Sequence, residues 1–400
     1  MLANRTQLLN DFDRGTAQTI QTAGDAISAN SLIDRFGATV HTESHQSLDE
    51  HSNWCQWLEN ETRQRLLSAC FMFDVHQAMY HQQCRFKAAT DESRFLICLP
   101  AQDHVWNARN ASEWLAQRSD HQIQPLRLFE QDLSTQDFLN TSSFTQSLLI
   151  CWLASNLPPR EDPTYPNDFL PHSMHPTIEN FMALLPNSLQ AHTYLALYHT
   201  PLHDLLAIAG DTWVFAQKIT PPSAFHAAQS RLKTWSTSLA AAQATHHACR
   251  ILSESLTQSW ASSSDDYSNT IHCISDYWSI YVSALICWAF GHRYQNSSSA
   301  TGGTLSRSNS STAIGAMDVD EATVSDTAQL KAVKYANDIL ELDVEELLTS
   351  KAAVKCDTTG VIEAVRQRLE FESVGNKSGL LVDAATVLAK IKEGGRTKWF

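Results

Sequence analysis

The stretch Ser47-Leu-Asp-Glu-His-Ser-Asn-Trp-Cys-Gln-Trp-Leu-Glu-Asn-Glu-Thr-Arg-Gln-Arg-Leu66 reads as a helix from its first residue. Ser47 and Glu50 have capping-box spacing: the hydroxyl accepts a backbone N–H and the carboxylate reciprocates. Asp49 and Glu50 suit the positive end of the helix dipole. Trp54, Trp57, Leu58, Leu66, Phe71 and Phe73 supply an apolar face. Glu59–Arg63 and Glu61–Arg65 are acid-before-base pairs four residues apart, which support a helix. The pattern predicts a helix over about 48–82.

Outward from this helix the same grammar repeats. Glycine (13) and proline (12) are few for 400 residues, so helices run uninterrupted. Further helices are predicted at about 142–156, 176–185, 188–217, 222–257, 268–294, 328–349, 359–372 and 380–393. Two short ones are predicted at Asn4–Phe12 and Thr16–Phe36. Leu99-Pro100 interrupts the series, and a loop carrying Trp106 follows it. Asn110 is placed to cap a short helix carrying Trp114 and Leu115. Pro201 falls inside the 188–217 pattern and should kink or break it near Thr200. The fold class is therefore all-α: an irregular multi-helix bundle with a disordered linker and a small C-terminal helical segment.

The segment boundaries follow composition. Residues 1–46 are weakly patterned, and 47–295 form the main helical domain. Residues 296–327 are rich in Ser, Thr and Gly and cannot offset their ordering entropy, so they read as a disordered linker. Residues 328–400 are C-terminal helices packing on the main domain. Ser306–Ser311, around Arg307, is a candidate phosphorylation segment within a flexible tether.

The net charge of −14 repels phosphate, which makes the bulk of the chain a poor nucleic-acid grip. Half of that charge lies in 318–346, where nine carboxylates face Lys331 and Lys334. Lys390, Lys392, Arg396 and Lys398 make a short basic end suited to a helix C-terminus. The nine cysteines include no C-x-x-C pair and read as free thiols of a reducing compartment. Met1–Asn10 lacks the apolar core of a secretion signal. The most apolar run, Tyr277–Phe290, is shorter than the ~20 residues needed to span a bilayer, so it reads as a buried helix.

Chemistry-bearing motifs are sparse. No phosphate-cradling glycine loop and no Gly-x-Ser-x-Gly elbow occurs, and Gly360, Gly375 and Gly379 stand alone. His199 and His203, four apart in Tyr-His-Thr-Pro-Leu-His, would share a helix face as metal ligands do; the other reading is a hydrogen-bonded pair in packed helices. His246 and His247 are adjacent and point to different faces, which makes a poor chelate. Asp74 lies among apolar residues, and an ion pair with Arg63 or Arg65 is the expectation. The chain is expected not to be an enzyme; a helical metal enzyme at His199 and His203, or a plain helical scaffold or ligand-binding protein, are the other readings.

Several segments resemble a known family. Trp57-Leu-Glu-Asn-Glu-Thr-Arg-Gln-Arg-Leu66 followed by Phe71-Met-Phe-Asp74 is similar to the core of the fungal-specific transcription factor domain, the middle homology region. Leu99-Pro100 through Trp106 and Glu113-Trp114 resembles its Leu-Pro, Trp, Trp segment. Tyr198–Leu206, Gly210-Asp-Thr-Trp213, Trp278–Trp288 and Lys398-Trp-Phe400 resemble the branch linked to Cys2His2 fingers. The resemblance covers about 47–294 and, more loosely, 328–400. It implies an all-helical regulatory domain, nuclear location and control of RNA polymerase II transcription. It also implies zinc, but only in an N-terminal DNA-binding module absent from or separate to these 400 residues, so no zinc ligand carries over and no cofactor is expected here. The implied partners are transcriptional coregulators or a small-molecule effector, with DNA reached only through that module, no membrane, and room for a homo-oligomer. The candidate structural or regulatory residues are Trp57, Glu61, Arg65, Asp74, Trp106, Trp114, His199, His203, Trp213 and Trp288.

Overall fold

A computed structural model describes residues 50–83, 97–118, 134–158, 176–210, 213–214, 217–218, 222–257, 274–292, 321–349, 357–376 and 379–393. The elements are α1 (Glu50–His81), α2 (Asp103–Trp106), α3 (Ala111–Gln117), α4 (Thr135–Leu139), α5 (Ser143–Ser155), α6 (Pro176–Leu184), α7 (Leu189–Tyr198) and α8 (Leu202–Ile208). A two-residue antiparallel hairpin follows, β1 (Trp213–Val214) with β2 (Gln217–Lys218), Trp213 opposite Lys218. Then come α9 (Pro222–Trp235), α10 (Leu239–Thr257), α11 (Ile274–His292), α12 (Glu321–Leu340), α13 (Val344–Thr349), α14 (Thr359–Asn376) and α15 (Gly379–Glu393). The class is all-α, as the sequence reading has it. The two N-terminal helices, Ser47, residues 296–320 of the linker with Ser306–Ser311, and Arg396 and Lys398 lie outside the described residues.

Two compact units are distinguished: Met1–Leu58 with Ala108–Gln117, and Glu59–Asn107 with Arg118–Phe400. In the first, Asn110 Oδ1 accepts the Glu113 N–H at 2.8 Å, the cap anticipated for α3. Glu113 Oε2 in turn accepts the Arg109 N–H at 2.9 Å. Trp114 is buried, and its ring lies 5.5 Å from that of Trp57.

The larger unit is built around α10, which packs against α7, α11, α12 and α13. Its buried residues include Ala241, Ala242, Ala244, Ala248 and Cys249, so neighbouring backbones approach on several sides. The helix α11 is apolar around its circumference and is buried accordingly, from Tyr281 through Cys287 without a break. On α12 the residues Ala332, Tyr335, Ala336 and Ile339 are buried where the helix packs on α10 and α14. The apolar stripe of this acidic helix is thereby used in the core, and Asp343, Glu345 and Glu346 beyond it remain exposed.

Several boundaries differ from the sequence reading. The 188–217 helix breaks at 199–201 as Pro201 requires, then ends at Ile208, where Gly210 turns the chain with φ +103°. The 222–257 helix is two helices, because Ser236, Thr237 and Ser238 turn their hydroxyls onto the carbonyls of Lys233, Thr234 and Trp235 at 2.7–2.9 Å. Ser238 then caps α10 by accepting from the Ala241 N–H at 3.2 Å. The helix expected over 328–349 begins at Glu321 and is two helices, the first ending at Leu340 and the second starting at Val344. Trp106 lies on the one-turn helix α2 rather than in a loop.

On the outer side, Glu363 of α14 accepts from Arg366 at 2.8 Å and from Lys392 of α15 at 2.9 Å. These bonds outweigh its partial burial and hold its carboxyl at about 2.

Gly360 marks the closest approach of α14 to α12: a Cβ added there would lie 2.8 Å from Lys331 Cβ, near the backbone of its helix. Gly360→Ala should therefore destabilise the chain by about 1–3 kcal/mol, despite the gain in helix propensity. Urea unfolding checks this, and unchanged or increased stability contradicts the packing.

Candidate functional site

The candidate residues do not gather into one cleft. Glu61, Arg65 and Trp106 share one buried polar assembly of the larger unit, His199 belongs to a second, Trp57 and Trp114 meet in the smaller unit, and Asp74, His203, Trp213 and Trp288 stand apart from these.

Glu61, Arg65 and Trp106 come together. Arg65 Nε donates to Glu61 Oε1 at 2.9 Å, one turn back on α1, and Arg65 Nη2 donates to Ala101 O at 2.7 Å. Glu61 Oε1 also accepts the Ala101 N–H at 2.9 Å. The guanidinium and carboxylate thus hold both backbone groups of one residue, which fixes Leu99–Asp103 along α1. Gln64 adds a bond to Leu99 O at 3.0 Å. The guanidinium carbon lies 4.5 Å from the Trp106 ring centroid and 5.3 Å from that of Phe144. Asp103 sits 3.7 Å from Nη2. A carboxylate this buried is tolerable only with such pairing. The Glu61–Arg65 spacing was legible in the sequence; Ala101 and Phe144 were not, because nothing in their side chains announces a backbone pairing or a ring contact.

Asp74 does not pair with Arg63 or Arg65. Arg63 meets Glu59 at 2.5 Å and Arg65 meets Glu61 and Asp103. Asp74 lies nine to eleven residues farther along the same helix, about 14–17 Å at 1.5 Å per residue.

His199 and His203 do not share a helix face. His199 caps the end of α7, Pro201 precedes α8, and His203 is exposed on α8. The break is closed by other groups. Gln82, in the left-handed region at φ 52°, donates through Nε2 to Leu197 O at 2.8 Å and Thr200 O at 2.7 Å. Its Oε1 accepts the Leu202 N–H at 3.2 Å. Trp235 Nε1 donates to His199 O at 2.7 Å. The carbonyls of Leu197, His199 and Thr200, beside the proline break, are thereby answered.

The histidines that do associate are His192, His199 and His247, with His246 beside them. His192 Nδ1 and His247 Nδ1 are 3.0 Å apart, and His192 Nε2 lies 3.0 Å from Pro186 O. A carbonyl only accepts, so His192 carries its proton on Nε2 and His247 donates from Nδ1. His199 stacks on His247 at 6.3 Å, with 7° between the ring planes. Burial lowers the pKa of His192, with opposition from the Pro186 bond and help from Arg250 and His246. Burial and its three imidazole neighbours hold His247 well below the ordinary value. His246 is lowered by burial and Arg250 against the pull of Asp343. Among the described residues no three His, Cys, Asp or Glu side chains are grouped to hold a metal ion.

The third assembly centres on Tyr194. Gln190 Nε2 donates to its hydroxyl at 2.9 Å, and that hydroxyl lies 2.8 Å from His76 Nδ1 and 3.4 Å from Cys151 Sγ. With Gln190 donating in, the tyrosine donates onward to a His76 whose pKa burial lowers. Cys151, Cys249 and Cys287 are buried thiols, whereas Cys55 and Cys70 are exposed. Trp288 is a half-buried member of the α11 surface against the core. Trp213 stands in β1, and its side chain lies outside the described residues.

Two outcomes follow. Arg65→Ala leaves Glu61 buried without its cation and should cost about 3–5 kcal/mol; Arg65→Lys should recover only part of this, since an ammonium lacks the fork that reaches Glu61 and Ala101 together. Chemical unfolding of both variants checks the order. For pH, the imidazoles of His76, His81, His192, His246 and His247 all lie below the ordinary 6.5 in the folded chain. Below that value the unfolded chain takes up protons that the folded chain refuses, so stability should fall as pH drops below 6.5. Each such group contributes up to about 1.4 kcal/mol per pH unit. Thermal unfolding from pH 7.5 to 5.0 should show the loss, and His247→Asn should flatten it.

A segment of 85 residues, 21% of this chain, is 26% identical to a protein of Zymoseptoria tritici described as a transcription factor. The match spans 8% of that protein's length. No family model matches the chain, and no solved structure matches it at a significant level.

Proposed function

We propose that this chain is the regulatory domain of a fungal transcription factor that controls RNA polymerase II transcription in the nucleus. The observation that carries the reading is the 85-residue similarity to a transcription factor. It stands beside the residue patterns that resemble the middle homology region of the Cys2His2-linked branch. The all-helical architecture is consistent with such a domain. Among the described residues the buried polar assemblies hold helices in register, which supports a role in binding. DNA is reached through a zinc module absent from or separate to this sequence; the net charge of −14 and the exposed carboxylates of Asp343, Glu345 and Glu346 favour protein partners over nucleic acid. Transcriptional coregulators are the partners this surface suits, with a small-molecule effector as the other class the family resemblance implies.

Among the described residues no helix is long and apolar enough to cross a membrane. The apolar stripe of α12 is packed inside, so a coregulator meets instead the exposed carboxylates of Asp343, Glu345 and Glu346 beyond that helix.

Fusing the chain to an unrelated DNA-binding module and measuring a reporter tests the reading. Reporter output should change several-fold, and substitution of Asp343, Glu345 and Glu346 by Asn and Gln should reduce the change. Output equal to that of the DNA-binding module alone overturns the proposal. The unfused chain should give no tight, sequence-selective shift of duplex DNA.

A further inference from the structure

The outer side of α1 carries apolar side chains that remain exposed among the described residues. The sequence pattern assigns Leu66 and Phe73 to the buried face together with Phe71, yet they are 60% and 62% exposed, while Glu61, Ser68, Phe71 and Val75 face inward. Leu67, Ala69 and Cys70 are exposed beside them. Leu66, Ala69 and Phe73 are spaced three and four residues apart, the seam of a coiled coil. The centre of this seam is small, which allows a second helix to approach closely, and its ends are large.

We infer that this face pairs with the same face of a second copy of the chain, α1 against α1, antiparallel about a two-fold axis between Ala69 and Cys70. The register is self-complementary, as an isologous interface requires. Leu66 of one copy meets Phe73 of the other, and Ala69 meets Cys70. At 1.5 Å per residue, the two Cys70 residues fall about 1.5 Å apart along the axis. The charges support this occupant. Arg63 and Asp74 lie on one flank of the seam, 72% of the Arg63 side chain being exposed. A two-fold of this kind brings the same flanks together, so Arg63 of each copy comes within about 3 Å along the axis of Asp74 of the other. The pairing occurs twice, on opposite sides of the axis.

The full chain tests this in sedimentation velocity. The unsubstituted chain should dimerise, and Phe73→Glu should abolish the dimer while leaving the helical circular dichroism unchanged. Arg63→Asp and Asp74→Arg, each alone, place like charges opposite each other twice and should weaken self-association by about tenfold. Mixing the two variants sets opposite charges against each other again at both contacts, so a heterodimer should form where neither variant self-associates. In a Cys55→Ser background, a short bis-maleimide should link two chains through Cys70. A chain that stays monomeric at high concentration, a mixture that gains nothing over its components, or a Cys70 shielded from maleimide within a monomer each overturns the inference; the last outcome would mean that another part of the same chain covers the face.

Discussion

Alanine and cysteine side chains on α10 set how closely four other helices approach it. A helix with a leucine on every face keeps its neighbours near the upper end of the usual interaxial range of about 8–10 Å. With Ala241, Ala242, Ala244 and Ala248 buried, α7, α11, α12 and α13 can all pack on α10 together. Gly360 serves the same end one layer out, where α14 comes against Lys331 of α12. Packing of this kind leaves little slack, because density rather than directional bonding carries the cohesion.

Several polar groups inside this packing are matched in pairs and chains. Arg65 and Glu61 hold a loop by its backbone, the hydroxyl of Tyr194 passes a bond from Gln190 toward His76, and His192 and His247 share a proton in a set order. Each arrangement admits one pattern of donors and acceptors. That specifies how the helices meet, which shape-tolerant apolar contacts alone do less sharply.

The helices were legible because their signals are local. Caps such as Asn110, acid–base pairs such as Glu61 and Arg65, and the all-apolar run of α11 act within a turn or two, and the sequence displays them directly. The break at Pro201 was equally visible. What stays hidden depends on partners distant in the chain. Leu66 and Phe73 look like core residues in a list of apolar positions; only the placement of Phe71 and Val75 shows that the helix turned the other way. His246 and His247 read as a poor chelate because they diverge, yet the partner of His247 is 55 residues earlier, on α7. The hydroxyls of Ser236, Thr237 and Ser238 end a helix that periodicity alone extends, since polar residues fit an exposed helical face as well as a turn.

The amide of Gln82 is the narrowest point of this design. It faces two carbonyl oxygens with its nitrogen and one N–H with its oxygen, while its own backbone sits in a conformation that side-chain-bearing residues seldom adopt. Spontaneous hydrolysis of that amide, the slow ageing reaction of glutamine, would exchange the nitrogen for an oxygen and set a negative charge against two carbonyls. A change of one atom, with almost no change in volume, would then unlatch the joint between α7 and α8 and bring chemical age into the lifetime of the folded chain.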